Sequence, residues 1–395
     1  MFFNTILEAP ADPIFGLRTI FEADTRKEKI NLAVGVYQDE HLKTPLMNVV
    51  RKAKEKIASQ DLVADYLPID GLSDFCEALG ELAFGKTAWE ANCNRIAVAQ
   101  GLGGTGVLQV AGQFLTQEIG RKIAIPHPTW PNHRNIFLRA GMEIDSYPYY
   151  NKEGRSVDFD AICLFIKQME KRSILLLHPV CHNPTGTDLS REQWEELLSL
   201  IEEKEIIPFF DFAYHGFGEG LDRDRSTLEL FLNRGCEMIV AYSCSKNFSL
   251  YNQRVGALFI VTENPVVKLR VQSQVQRVIR SLYSNPPAHG ARIVREVLAN
   301  PHLYQDWVVE LEGMRKRMES MRKMLAQLLL TKKAQIDYQY LLKQKGMFAF
   351  FDLEKSQVRR LIEEFAIYLP DNGRVAVVGL NETNIGSVAD AISAL

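Results

Sequence analysis

Arg95-Ile-Ala-Val-Ala-Gln100-Gly101-Leu-Gly103-Gly104-Thr105-Gly106-Val107-Leu-Gln-Val-Ala-Gly-Gln-Phe-Leu115 decides the fold. An apolar strand enters a glycine-rich turn and leaves as an apolar helix, which is the building unit of open α/β sheets. The turn fits the pattern GxGxxG literally. A dinucleotide site would also want an acidic residue at the end of the next strand to hold the ribose hydroxyls. That strand, Lys122-Ile-Ala-Ile125, ends instead in Pro126-His127-Pro128. What remains is the physical half of the motif, backbone N–H groups at a helix N-terminus receiving a phosphate. An NAD-dependent oxidoreductase stays as a distant alternative.

Outward from this unit, strands and helices alternate: strand 122 to 125, helix 130 to 139, strand 142 to 147, helix 158 to 170, strand 173 to 178, helix 190 to 204, strand 206 to 211, helix 225 to 234, strand 237 to 242. The alternation predicts a mostly parallel sheet covered by helices on both faces, with ligands outside the carboxyl ends of the strands. Gly103 to Thr105, Trp130, His178, Asn183, Asp211, Tyr214, Ser243 and Lys246 all follow predicted strand ends. A strand at 255 to 261 and a helix at 263 to 279 continue the pattern. Residues 301 to 330 predict the longest helix, with Trp307, Leu311, Met314, Met318, Met321, Leu325 and Leu328 as its core stripe. Beyond it, strands at 346 to 351 and 373 to 378 and a helix at 355 to 366 predict a smaller α/β unit.

Within this frame the polar turn Ser243-Cys-Ser-Lys246 follows the apolar Met238-Ile-Val-Ala-Tyr242. Desolvation at such a place lowers a lysine's pKa and makes its amine a nucleophile toward carbonyls. Ser243 and Arg254 flank it with anion-binding groups, so the stretch suits a phosphate-bearing aldehyde held on Lys246, the chemistry of pyridoxal phosphate. Asp211 ends a hydrophobic strand and needs a cationic partner, which a protonated pyridine nitrogen supplies as well as a local arginine. His178, Cys181 and His182 carry metal-ligand side chains, but no second ligand pair lies at zinc spacing, and no metal is expected.

Composition excludes several classes. The 395 residues are 46% apolar and 24% charged, with a formal net charge of −3 and no basic stripe, which argues against nucleic acid as the main partner. Six cysteines without CxxC spacing read as reduced. No 18-residue apolar run and no leader pattern occur, so a soluble cytoplasmic protein with no membrane partner is the expectation. Residues 29 to 37 read as a strand ending near Gly35, where backbone meets ligand. The opening arm carries Phe2, Phe3 and Ile6, which are costly to expose and predict packing on a second subunit.

The chain resembles the fold-type I, class I pyridoxal phosphate enzymes, in their aspartate and aromatic aminotransferase branch. Ala-Pro-Ala-Asp-Pro at 9 to 13, Trp130-Pro-Asn-His133, His182-Asn-Pro-Thr-Gly186, Asp211-Phe-Ala-Tyr214, Ser-Lys246-Asn-Phe, Tyr283-Ser-Asn-Pro-Pro-Ala-His-Gly290 and Gly-Met-Phe348 carry the likeness nearly end to end. It implies a seven-stranded, mostly parallel sheet sandwiched by helices. It also implies an arm at 1–11, a small domain at 12–44 and 314–395, and a large cofactor-binding domain at 45–313.

Pyridoxal 5'-phosphate is the implied cofactor, with Lys246 joined to it as an imine and then shuttling the substrate proton. Asp211 would meet the pyridine nitrogen, Tyr214 and Asn183 the phenolic oxygen, and Trp130 the ring face. Gly103, Gly104, Thr105, Ser243 and Arg254 would hold the phosphate, with Tyr66 from the other subunit of a homodimer. Arg374 would bind the α-carboxylate, helped by Trp130 and Asn183, and Arg280 of the other subunit the distal one. Gly35 would lie on a segment that closes over the site, with His133 and His178 behind the ring and Asp211. The implied reaction moves the amino group of aspartate to 2-oxoglutarate by a ping-pong cycle through pyridoxamine phosphate. Val36, Thr44, Thr105 and Asn285 look aspartate-like, whereas Gln38 and Asp65 depart from the common residues, so tyrosine and phenylalanine remain alternative donors. A binding protein with a vestigial site is the non-catalytic alternative.

Overall fold

In the central strands of the main sheet, long apolar runs leave almost nothing polar to face water, and the chain answers by covering both sides; the edge strand Glu143–Pro148, polar and mostly exposed, is the exception. The computed structural model describes residues 2–9, 15–60, 64–332 and 336–395. The motif quoted at 9 to 13 lies outside these, apart from Ala9. The strands are β1 (Ile96–Leu102), β2 (Lys122–His127), β3 (Glu143–Pro148), β4 (Ile174–Leu177), β5 (Ile207–Phe212), β6 (Met238–Ser243) and β7 (Val255–Val261). They form one sheet in the order β1-β7-β6-β5-β4-β2-β3. Only β7 runs against its neighbours; the pairs among β2 to β6 are parallel. This is the mostly parallel, helix-covered sheet that the alternation predicts.

Every residue of β4, β6 and β7 is buried, as expected of strands covered on both faces. Along β7, Leu258 and Ile260 join one hydrophobic cluster and Ala257, Phe259 and Val261 the other, the period-two alternation of a strand between two cores. The long helix Pro301–Thr331 starts where Asn300 caps the amides of His302 and Leu303 and Pro301 presets the first turn. Its stripe packs as predicted from Trp307 to Leu325, but the last contact falls to Leu329, with Leu328 only partly buried.

Among the described residues, three short pairings lie apart from the main sheet: Ile30–Asn31 runs parallel to Ile367–Tyr368, Phe348–Phe350 antiparallel to Arg374–Ala376, and Tyr150–Asn151 antiparallel to Ser156–Val157. The strand predicted over 29 to 37 shrinks to two residues because its partner offers only two. The Ala33 carbonyl instead accepts from Arg374. Helices Lys86–Asn92 and Ala288–Ala299 went unread in the sequence. In the second, Pro286, Pro287 and Gly290 look like breakers, although the prolines only precede the helix and Gly290 packs against Val255 and Gln253. The helix Leu221–Asn233 starts four residues before the predicted 225, with Asp222 and Asp224 in its first turn, where acidic groups favour the positive helix end.

Candidate active site

The reversed direction of β7 gathers the polar residues. Gly256 lies opposite both Gly101 on β1 and Ser243 on β6, so the entry of β7 meets the exits of its neighbours. A Cβ at Gly256 would stand 2.4 Å from the Tyr242 carbonyl oxygen, and one at Gly103 2.7 Å from the Arg254 guanidinium. Gly103 has φ +65° and begins the helix Gly103–Glu118. These glycines let backbone amides, Thr105, Ser243 and Arg254 crowd around one point. Ser245, passed over in the sequence, belongs with them, since Arg254 donates to its hydroxyl at 3.3 Å. The Ser-Cys-Ser spacing was its only signal.

A cavity of about 780 Å³ opens there, lined among others by Gly104, Thr105, Trp130, Asn183, Asp211, Tyr214, Ser243, Lys246, Arg254 and Arg374. From the other side come Gly35, Val36, Gln38, Thr44 and Phe348. A Cβ on Gly35 would press the Phe348 ring at 3.3 Å. The Lys246 Nζ lies 4.9 Å from the centre of the Tyr214 ring. Burial pulls its pKa down to about 8; Asp211 opposes the shift, while Arg254 and Arg374 add to it.

The Asp211 carboxylate can only accept, so His133 Nε2 carries the proton that it donates to Oδ2 at 3.0 Å. His133 Nδ1 then accepts from the Thr129 hydroxyl at 2.8 Å. Thr129, also missed in the sequence, thereby fixes the imidazole's tautomer and aim. Burial works to raise the Asp211 pKa, yet the His133 hydrogen bond and the nearness of His133, His178 and Lys246 outweigh it and hold the carboxyl below its usual range. His178 stands 4.0 Å from the same oxygen, and burial drives its pKa down to about 3, leaving a neutral ring. The ligand atoms of His133, His178 and Asp211 lie within 4.8 Å of one another, close enough for a cation. The His133 hydrogen bond uses one of these ligand atoms. Asp211 Oδ1 is buried and has no partner among the described residues.

Asn183 bridges two groups, donating to the Tyr214 hydroxyl at 3.3 Å and accepting from Arg374 Nη1 at 3.2 Å. Arg374 is buried over the Phe348 ring, 4.1 Å from its centre, and donates to the Ala33 carbonyl at 2.6 Å. Burial lowers its pKa to about 10, so it stays charged, and its Nε lacks a partner among the described residues. Tyr251, which carried no sequence signal, accepts the Tyr37 amide at 2.8 Å and lines the cavity.

Tyr66 and Arg280 do not reach this cavity in the single chain. Tyr66 is 86% exposed, and Arg280 is exposed and donates to the Ser284 hydroxyl. Asn285 and Asp65 also lie outside the cavity lining.

Residues 27–392 match the family described as aminotransferase class I and II. The chain belongs to this family. It is 43% identical to the aspartate aminotransferase of Escherichia coli over 394 residues, covering all of both chains, and 40% identical to the mitochondrial aspartate aminotransferase of Gallus gallus, covering 97% of this chain and 91% of that one. Among solved structures, an aromatic-amino-acid aminotransferase from Burkholderia pseudomallei, covalently bound to pyridoxal phosphate, superposes with a TM-score of 0.96 at 42% identity, covering 100% of this chain and 99% of that one. The fold is therefore that of the fold-type I aminotransferases. The glycine turn serves that family's fold, and the dinucleotide alternative falls away.

Proposed function

We propose that this chain is a pyridoxal phosphate-dependent aminotransferase that moves the amino group of aspartate to 2-oxoglutarate, giving oxaloacetate and glutamate. One observation carries the cofactor reading: Asp211, whose buried Oδ1 has no partner among the described residues, lines the cavity that holds Lys246. A buried carboxylate oxygen without a donor is costly, and a protonated pyridine nitrogen meets that need. The cradle of Gly103, Gly104, Thr105, Ser243 and Arg254 fits the phosphate, with Ser245 as a further donor.

When bound, the cofactor supplies an electron sink for the carbanion at the substrate's Cα. The chain does the rest. Lys246, with its pKa lowered to about 8, offers an amine that takes the Cα proton and returns it. Tyr214, held by Asn183, would donate to the cofactor's ring oxygen, and Trp130 would cover its ring. Arg374 turns its fork to the α-carboxylate, with Gly35 and Asn183 beside it. Tyr66 and Arg280 act from the partner subunit of a homodimer, which accounts for their exposure here. The exposed Phe2, Phe3 and Leu7 fit the same dimer.

The same reading divides the chain into an arm at 1–11, a small unit at 12–44 and 314–395, and a large unit at 45–313. The pairing of Ile30–Asn31 with Ile367–Tyr368 supports joining the two ends in one unit. We place the protein in the cytoplasm; no helix among the described residues is long and apolar enough to cross a membrane.

A second reading has aromatic amino acids as donors. The aromatic aminotransferase from Psychrobacter, cocrystallised with aspartic acid, favours overlap between the two classes. The deciding experiment records the absorbance spectrum of the purified protein, adds aspartate, and compares kcat/KM for aspartate and tyrosine. A cofactor band that changes with aspartate, with kcat/KM higher for aspartate, is expected. Higher kcat/KM for tyrosine overturns the donor, and no cofactor band overturns the enzyme.

A further inference from the structure

A second cavity, of about 530 Å³, lies between the helix Pro301–Thr331, the turn Phe217–Glu219 and the segment Leu342–Gly346. It shares no lining residue with the active-site cavity. Five cationic side chains line it, Arg223, Arg315, Arg322, Lys343 and Lys345, against two carboxylates. Both carboxylates are engaged: Glu219 pairs with Lys345 at 3.2 Å, and Glu319 with Arg315 and Lys323. Arg223, Arg322 and Lys343 make no ion pair among the described residues.

Arg322 is the most telling of these. It is 4% exposed, yet its only acceptors among the described residues are the carbonyl oxygens of Gly346 and Phe348, both bound through Nη2. Its Nε is buried and has no partner among the described residues. A guanidinium remains charged when buried, and Glu319 and Asp188 act on this one only from a distance, without an ion pair, which leaves part of the cost of enclosing it unmet. An anion in the adjoining cavity relieves that cost.

We propose that this cavity is a binding site for a small multivalent phosphate. Three uncompensated cations on separate elements suit a ligand with several negative oxygens, which forks and ammonium groups engage from different sides. The position also gives the site a consequence. Arg322 grips the backbone on either side of Met347, and the neighbouring Phe348 ring supports Arg374. Lys345 donates its amide to the Gly186 carbonyl at 2.7 Å, in the turn that carries Asn183. An anion that draws on Arg322 therefore acts on the residues assigned to the substrate carboxylate. This coupling rests on the aminotransferase reading; the binding itself does not.

The test titrates the holoenzyme, whose active-site phosphate cradle is filled, with inorganic pyrophosphate and separately with inorganic phosphate, at an ionic strength held constant with sodium chloride. The Arg223→Ala/Lys343→Ala double variant, altered only in this cavity, runs in parallel. Saturable calorimetric binding to the wild type, tighter for pyrophosphate and weakened about 100-fold in the double variant, is expected. Absence of saturable binding, or equal affinity in both proteins, overturns the site. Pyrophosphate should shift KM for aspartate in the wild type and not in the double variant, whose kcat without pyrophosphate is unchanged. Binding that is lost in the double variant but leaves the wild-type KM unmoved overturns the coupling.

Discussion

Lys246 is held where its charged form is disfavoured, and this sets a pH signature for the cofactor-free protein. Its pKa falls from 10.5 to about 8 on folding because burial penalises the ammonium. Between those values the unfolded chain binds more protons than the folded one, so stability rises with pH across that window. Below about pH 8 the penalty is fully present, of the order of 3 kcal/mol. Lys246→Met should therefore stabilise the cofactor-free protein at pH 7, with the advantage shrinking toward pH 10.5; thermal midpoints across that range measure it, and a pH-independent difference contradicts the assignment. Arg374 offers a second residue-scale check. Arg374→Lys keeps the charge but removes the planar fork that Asn183 and Ala33 orient. A loss in kcat/KM for aspartate of about 100-fold is expected, with cofactor affinity retained.

At the scale of elements, the site depends on the close approach of β1, β6 and β7. Gly256→Ala places a methyl against the Tyr242 carbonyl, which is backbone and cannot swing away. A destabilisation of about 1–3 kcal/mol is expected in denaturant titrations, accompanied by weaker phosphate-cofactor binding. Destabilisation without loss of affinity would separate the sheet from the cradle. This is also where sequence reading succeeds and stops. Continuous apolar runs such as Ile174–Leu177 and Val255–Val261 made the strands legible, because complete burial leaves a compositional trace. The residues that orient others left none: Thr129 matters only because His133 folds onto it, and Tyr251 because the Tyr37 amide arrives from 214 positions away. The helix Ala288–Ala299 was hidden for a local reason, its apolar stripe beginning beside prolines and a glycine that normally end helices.

For the whole molecule, the sequence resemblance supplied what a single chain does not contain, a role for Tyr66 and Arg280 across a subunit boundary. Complementation tests it. Lys246→Ala and Arg280→Ala proteins, each nearly inactive toward aspartate, are unfolded and refolded together. If Arg280 serves the neighbouring subunit, each mixed dimer carries both defects in one site and leaves the other intact, so about a quarter of wild-type activity returns. No recovery places Arg280 within its own chain's site.

The strand order has a consequence for how the protein comes into being. β1 and β6 are neighbours of β7 but not of each other, and 135 residues, 103 to 237, lie between the end of β1 at Leu102 and the start of β6 at Met238, a long loop to close. On a ribosome, the glycine turn and the lysine both emerge before the strand that unites them. Until Val255–Val261 is inserted between its two neighbours, the phosphate cup has no floor, so cofactor capture belongs to the last stage of assembling the large sheet.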